Sequence, residues 1–197
     1  MTYQTIDVRT VTPTIGAEIH GVDLSGQLSN QQFEEIHQAL LNHLVIFFRD
    51  QTLTVEQHKA FGQRFGKLHI HPNAPRPIEG HPEILVVKAD ENSKRVAGEV
   101  WHSDVSCDEE PPMGSILYVT QVPENGGGDT SFANMYAAYE ALSPTMQGFL
   151  QGLTAVHTSL KSANHQYRDK EDYMRFPESE HPIVRTHPET GRKGLFV

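Results

Sequence analysis

The apolar residues of this sequence occur in short runs separated by proline and glycine, and this pattern restricts the fold more than any other feature. Val45–Phe48 and Ile84–Val87 are runs of four apolar residues rich in strand-forming types, as is typical of buried β-strands. The loose alternation over residues 5–24 predicts short strands with turns between them. Residues 115–119, 182–186 and 194–197 predict further strands. The proline-rich residues 69–82 predict a loop, and the polar residues 158–180 predict an insertion. A chain of this kind builds its sheets from many short strands.

Helices are predicted mainly in the first half of the chain, where capping residues mark their starts. Ser29 and Thr54 are each followed three residues later by glutamine and then by apolar residues at helical spacing. Ser143 and Pro144 give an N-cap and a first-turn proline for a later helix. Strands and helices together predict an α+β fold. We expect a jelly roll or related two-sheet barrel, with helices buttressing one side.

Length, charge and cysteine content exclude several classes of protein. The 197 residues suit one domain, or one domain plus an arm, and the single cysteine, Cys107, permits no internal disulfide. No apolar run approaches the ~18 residues that span a bilayer, and the first ten residues do not resemble a signal peptide, so we expect a cytoplasmic protein. A net charge of −9 argues against a general binder of nucleic acid or anionic membranes. It leaves a small anionic substrate open.

The segment Trp101–Asp104 contains the strongest chemical signal. It places His102 and Asp104 two residues apart, and the extended pattern over residues 100–105 predicts a strand. Side chains two apart leave the same face of a strand, so both groups can converge on one point. An imidazole and a carboxylate are two of the three ligands in the facial triad of non-haem Fe(II) oxygenases. A His-x-Asp pair alone is common by chance, so the surrounding sequence must indicate whether this pair binds a metal.

That context consists of six segments whose order and spacing are specific together. They are Ile15–Leu24, Phe61–Gly66, Trp101–Asp104, Gly127–Thr130, Tyr139–Ser143 and His181–Pro188. Through them, nearly the whole chain resembles the taurine dioxygenase/2,4-dichlorophenoxyacetate dioxygenase (TauD/TfdA) family of Fe(II)- and 2-oxoglutarate-dependent oxygenases. The family resemblance implies a double-stranded β-helix, or jelly-roll, core. It also implies oxidoreductase activity that depends on iron.

The resemblance implies roles for four residues. His102 and Asp104 match the first two iron ligands of the family. Thr130 matches the threonine whose hydroxyl contacts a 2-oxoglutarate carboxylate, although an ordinary turn hydroxyl is the alternative. His71 matches the histidine that contacts the sulfonate of taurine, and a loop histidine without a ligand is its alternative. No catalytic residue beyond the metal site is implied.

Two positions depart from the taurine enzymes that the chain resembles. Ala74 stands where those enzymes have a tyrosine, and Gly98 stands where they have an asparagine. Both changes remove polar contacts to taurine, so we expect a larger or more apolar anion. An alkyl or aryl sulfonate, a sulfate ester and an aryloxyalkanoate fit this description.

The resemblance also implies the reaction and its cofactors. Fe(II), 2-oxoglutarate and O2 would hydroxylate the substrate at the carbon next to its heteroatom. The hydroxylated product would release sulfite, sulfate or a phenol, with succinate and CO2 as co-products. The expected partner is a small organic anion, with neither nucleic acid nor membrane, and a homo-oligomer remains open.

The family's third iron ligand and its 2-oxoglutarate-binding arginine have no matching positions in this sequence. In the family both follow the strand that corresponds to residues 194–197. Four histidines lie downstream of Asp104 but outside that distal motif: His157, His165, His181 and His187. We therefore expect residues 1–197 to be the N-terminal and central part of one dioxygenase domain, incomplete at the C-terminus. A natural truncation and completion of the site by another chain are the alternatives, and the DNA after codon 197 would decide.

Two other classes of function stay open from the sequence. A non-catalytic ligand-binding or interaction module could keep this fold and lack the chemistry. A zinc hydrolase could use a His-x-Asp pair, but the sequence contains no His-Glu-x-x-His motif to support it.

Overall fold

The computed structural model describes residues 2–71, 77–90, 93, 98, 100–158 and 177–197. Within these residues the chain forms four helices and nine short strands, so the expected α+β content is present. The chain divides into two compact units. Unit 1 comprises Met1–Val86 and Ile116–Asn134, and unit 2 comprises Val87–Ser115 and Met135–Val197.

Unit 1 combines two helices with two small sheets. Its elements are β1 (Asp7–Thr10), β2 (Ala17–His20), α1 (Asn30–His43), β3 (Ile46–Phe47), α2 (Val55–Gln63), β4 (Pro77–Ile78) and β5 (His81–Leu85). In the first sheet β2 pairs with β1 in antiparallel fashion and with β3 in parallel fashion. Strands β4 and β5 form an antiparallel pair of their own. The predicted loop over residues 69–82 therefore contains part of a hairpin, and residues 72–76 lie outside the described part.

The helices of unit 1 begin where their capping residues predict. Ser29 Oγ accepts a hydrogen bond of 3.1 Å from Gln32 N at the start of α1. At α2 the capping box is complete: Gln57 N donates to Thr54 Oγ1 (3.2 Å), and Thr54 N donates to Gln57 Oε1 (2.8 Å). These bonds satisfy backbone N–H groups that a helix terminus would otherwise leave without a partner.

The core of unit 1 forms where the apolar face of α1 covers the first sheet. Ile36 is fully buried, and its neighbours in the cluster are Ile6, Ile19, Leu24, Ala39 and Phe61. The ring of Phe61 packs edge-on against Phe48 and Phe65, with centroids 5.7 and 5.3 Å apart. Such edge-to-face aromatic contacts are favourable beyond the area that they bury.

Unit 2 combines two short helices with two hairpin-like strand pairs. Its elements are α3 (Met135–Glu140), α4 (Pro144–Leu150), β6 (Thr154–Thr158), β7 (Glu178–Pro182), β8 (Val184–Thr186) and β9 (Lys193–Leu195). Strands β6 and β7 are antiparallel, and so are β8 and β9. Ser143 caps α4 as predicted, with Pro144 in the first turn. Of the polar insertion predicted over residues 158–180, residues 159–176 lie outside the described part, while its last three residues already belong to β7.

Two predicted strands are wrong. Residues 100–105 are irregular and lead into a turn, and residues 115–119 pair with no strand among the described residues. In the first segment Val105 has a φ of +49°, which interrupts an extended backbone, and Asp108 N donates to Val105 O (3.1 Å) to close the turn. In the second the Ile116 carbonyl accepts a 3.1 Å bond from the His58 side chain instead of a strand partner.

The described strands lie in four separate sheets of two or three strands each. None of these sheets closes into a barrel by itself. Among the described helices, none has the length and apolar character needed to cross a membrane.

Candidate metal centre

His102 is oriented by a backbone contact on its own segment. Its Nδ1–H donates to the carbonyl oxygen of Val100 over 2.7 Å. Because a carbonyl oxygen can only accept, this bond places a proton on Nδ1, and Nε2 is the ring nitrogen that faces another partner. Metal-binding histidines are usually held in this way, by a carbonyl or carboxylate behind the ring.

Asp104 presents one carboxylate oxygen to that nitrogen and the other to a serine. Asp104 Oδ1 lies 3.2 Å from His102 Nε2. Asp104 Oδ2 accepts a hydrogen bond of 2.5 Å from Ser115 Oγ. The two side chains are about half exposed, at 48% for His102 and 55% for Asp104, so the pair is accessible from solvent.

The spacing of these two atoms fits ligands of one metal ion. Protein nitrogen and oxygen ligands lie about 2.0–2.2 Å from a divalent transition metal. Two such ligands at right angles are therefore about 3 Å apart, close to the 3.2 Å between His102 Nε2 and Asp104 Oδ1. Imidazole with carboxylate is also the donor set of non-haem Fe(II) sites. The described residues contain no group of three or more histidine, cysteine, aspartate or glutamate side chains suited to a metal.

The backbone around the pair takes two left-handed conformations. Gly98 has a φ of +84°, and a Cβ at this position would lie 3.4 Å from His102 Cε1. Val105, next to Asp104, has a φ of +49° that β-branched residues rarely adopt. The sequence predicted convergence from a strand. The convergence is present, but it arises from a bent segment held by side-chain hydrogen bonds.

Thr130 lies in unit 1, on the wall of a small cavity of about 230 Å³. The lining is largely apolar, with Thr12 contributing a second hydroxyl-bearing side chain. The lining residues are Val11, Thr12, Ile15, Gly16, Val45, Phe47, Thr130 and Phe132.

His71 also belongs to unit 1, in an irregular segment after α2, and is half-buried. The position of Ala74 lies outside the described residues. The structure thus brings His102 and Asp104 together within unit 2, while Thr130 and His71 are each described within unit 1.

Ser115 is the residue at this centre that the sequence did not single out. It lies 11 positions after Asp104, inside a segment that was predicted as a strand. One serine in such a segment has no distinguishing pattern, because its role depends on a contact made by the folded chain. A search of the sequence for hydroxyl residues near His102 and Asp104 would have returned Ser115 together with many others.

Comparison with known protein families matches residues 7–197 to the taurine catabolism dioxygenase TauD, TfdA family. The chain belongs to this family. The alpha-ketoglutarate-dependent sulfate ester dioxygenase of Pseudomonas putida is 36% identical to the chain over 201 residues, which cover 96% of the chain and 65% of that relative.

Solved structures of other proteins are similar in fold to the chain. The crystal structure of a taurine dioxygenase from Burkholderia xenovorans has a TM-score of 0.78 and 37% identity, covering 98% of this chain and 64% of that one. AAD-2, solved with Mn(II) and N-oxalylglycine, has a TM-score of 0.71 and 26% identity, covering 98% and 69%. The chain spans between 48% and 63% of the length of three further curated relatives.

Proposed function

We propose that this protein acts as an Fe(II)- and 2-oxoglutarate-dependent dioxygenase on a small organic anion. The observation that supports this most is the convergence of His102 Nε2 and Asp104 Oδ1, each with a hydrogen bond that orients its side chain. Membership of the TauD/TfdA family supports the same chemistry. For the complete enzyme we propose a closed jelly-roll core in a single domain.

The chain's own residues would bind and orient the reactants. His102 would bind iron through Nε2 while its Nδ1–H stays on the Val100 carbonyl, and Asp104 would bind through Oδ1. Bound Fe(II) would supply the oxidative chemistry, coupling the decarboxylation of 2-oxoglutarate by O2 to hydroxylation of the substrate. Thr130 would donate its hydroxyl to a 2-oxoglutarate carboxylate, and His71 would hold the anionic group of the substrate.

The proposed substrate is an alkyl or aryl sulfonate, a sulfate ester or an aryloxyalkanoate, with release of sulfite, sulfate or a phenol. The name of the sulfate ester dioxygenase relative supports a small organic anion of this class. Gly98 supports a substrate other than taurine, because it lacks the polar side chain that the taurine enzymes carry at this position.

The test is turnover by the full-length protein with Fe(II), 2-oxoglutarate and a panel of these anions. Turnover is measured as the formation of succinate. We expect His102→Ala and Asp104→Ala to abolish iron-dependent turnover, because each removes an iron ligand. His43→Ala is the matched control, since His43 lies in the last turn of α1. Undiminished turnover in either ligand variant would refute that ligand assignment.

A non-catalytic ligand-binding module of the same fold is the second candidate. Its support is that, among the described residues, no third ligand-type side chain joins His102 and Asp104 in a group suited to a metal. Calorimetry of the panel anions with and without Fe(II) separates the two functions. Equal anion affinity with and without Fe(II), together with no consumption of 2-oxoglutarate, would favour the non-catalytic module over the enzyme.

A further inference from the structure

We propose that Ser115 is a positioning residue that assigns the two oxygens of Asp104 to different tasks. By donating to Oδ2, the hydroxyl reserves Oδ1 for the metal and holds the carboxylate in the orientation that faces His102. This inference rests on the proposed function, since it concerns the same metal site.

The length of the contact supports a strong, oriented bond. Hydrogen bonds from a hydroxyl to a carboxylate are typically about 2.5–2.7 Å long and stronger than bonds between neutral groups. The 2.5 Å between Ser115 Oγ and Asp104 Oδ2 lies at the short end of this range. Ser115 therefore competes effectively with water for one particular oxygen of a half-exposed side chain.

The carboxylate needs such a partner because its own geometry is permissive. Rotation about χ2 of aspartate is broad and roughly two-fold, so a free Asp104 could present either oxygen or both. The bond to Ser115 breaks this equivalence. Together with the bond from His102 Nδ1 to the Val100 carbonyl, it means that each candidate ligand is held through an atom other than the one that it would offer to the ion.

The two orienting bonds differ in how they can be tested. A backbone carbonyl accepts from His102 and cannot be removed by substitution, whereas the Ser115 hydroxyl can. Loss of a partner that orients a metal ligand typically weakens metal affinity by about 10–100-fold. Ser115→Ala should show this loss, and Ser115→Thr, which keeps the hydroxyl, should restore binding.

The experiment measures Mn(II) affinity of the full-length protein by calorimetry and, in parallel, by the fluorescence of Trp101. Trp101 is the only tryptophan in the sequence and directly precedes His102. Ser143→Ala is the matched control, because it removes a serine hydroxyl that caps α4 in unit 2. The melting temperature of each metal-free variant is recorded, and the visible spectrum of the Co(II) form reports the coordination geometry.

We expect Ser115→Ala to raise the Mn(II) Kd by about 10–100-fold and to alter the Co(II) spectrum. Ser115→Thr should stay within about threefold of the wild type. Ser143→Ala should lower the melting temperature and leave the Kd unchanged.

Two results would overturn the inference alone: a Ser115→Ala Kd within twofold of the wild type, or equal weakening by Ser115→Ala and Ser115→Thr. A wild-type protein that binds neither Mn(II) nor Fe(II) would overturn the proposed function and this inference together.

Discussion

His157 is a buried histidine of β6 with an unusual environment. Its side chain is 8% exposed, its ring stacks on Phe196 with centroids 4.7 Å apart, and His181 lies edge-on at 5.2 Å. Within the described part of the chain, its Nε2 is buried without a hydrogen-bond partner. Burial, with a smaller contribution from His181, holds the pKa of His157 below its ordinary value despite a backbone hydrogen bond with Phe196 that acts in the opposite direction.

This environment predicts that acid destabilises the fold well above the pH at which carboxylates titrate. The unfolded chain binds a proton at His157 near its ordinary pKa of about 6.5, while the folded chain binds it only at lower pH. The contribution to stability is therefore complete above about pH 6.5 and declines as the pH falls toward the lowered folded pKa. We expect the urea midpoint to fall between pH 7.5 and 5.5, and His157→Gln to reduce that fall.

His43→Gln serves as the control for this experiment, because His43 lies on α1, outside unit 2. It should keep the wild-type pH dependence. If the slope of His157→Gln equalled that of the wild type, another group would be responsible for the acid sensitivity.

Single residues also differ in how far the sequence could predict them. His102 and Asp104 were identifiable because their types and spacing match a ligand pattern, and the structure brings them together. The reason given for their convergence was wrong, since the segment is bent and not a strand. Ser115 was beyond prediction because its contact with Asp104 joins positions 11 apart through the fold.

Helix α2 depends on its capping box at the level of secondary structure. Replacing Thr54 removes the acceptor for Gln57 N and leaves a backbone donor of the first turn without its partner. We expect Thr54→Ala to reduce the free energy of unfolding by about 1 kcal/mol, and Thr54→Ser to retain most of it. Equilibrium urea unfolding measures the difference.

Thr52→Ala provides the matched comparison for the cap, since Thr52 is exposed and precedes α2 by three positions. Its effect should stay within about 0.5 kcal/mol. Equal losses from Thr52→Ala and Thr54→Ala would show that the cap contributes no specific stability.

Helices and strands were predictable to different degrees for a physical reason. The start of a helix depends on residues within one turn, so Ser29, Thr54 and Ser143 were sufficient signals. A strand needs a partner that the local sequence does not specify. Residues 115–119 have strand-like composition, but the carbonyl of Ile116 accepts from the His58 side chain and not from a strand.

For the whole molecule, we propose that the two units unfold as one cooperative domain, as the chain length predicts. Ile36 lies fully buried in unit 1, and Ile36→Ala should reduce stability by about 2–5 kcal/mol. In a single domain, Trp101 fluorescence in unit 2 and hydrogen exchange of α1 in unit 1 should report the same loss.

Ile70→Ala is the control for this prediction, because the same residue type is 56% exposed there. It should change stability by less than about 0.5 kcal/mol. If Ile36→Ala lowered the protection of α1 and left the Trp101 transition unmoved, the two units would be independent domains.

Val105 is a position near the metal centre at which selection for stability and selection for activity would favour different residues. A β-branched residue with a φ of +49° carries conformational strain of the order of 1–3 kcal/mol, and it directly follows Asp104. Selection for thermal tolerance alone would favour asparagine or glycine here, since both accept this conformation more readily. Selection for an Asp104 carboxylate held in one orientation would favour the conformationally restricted side chain of valine. Laboratory lineages evolved for heat resistance and for turnover should therefore diverge at this position.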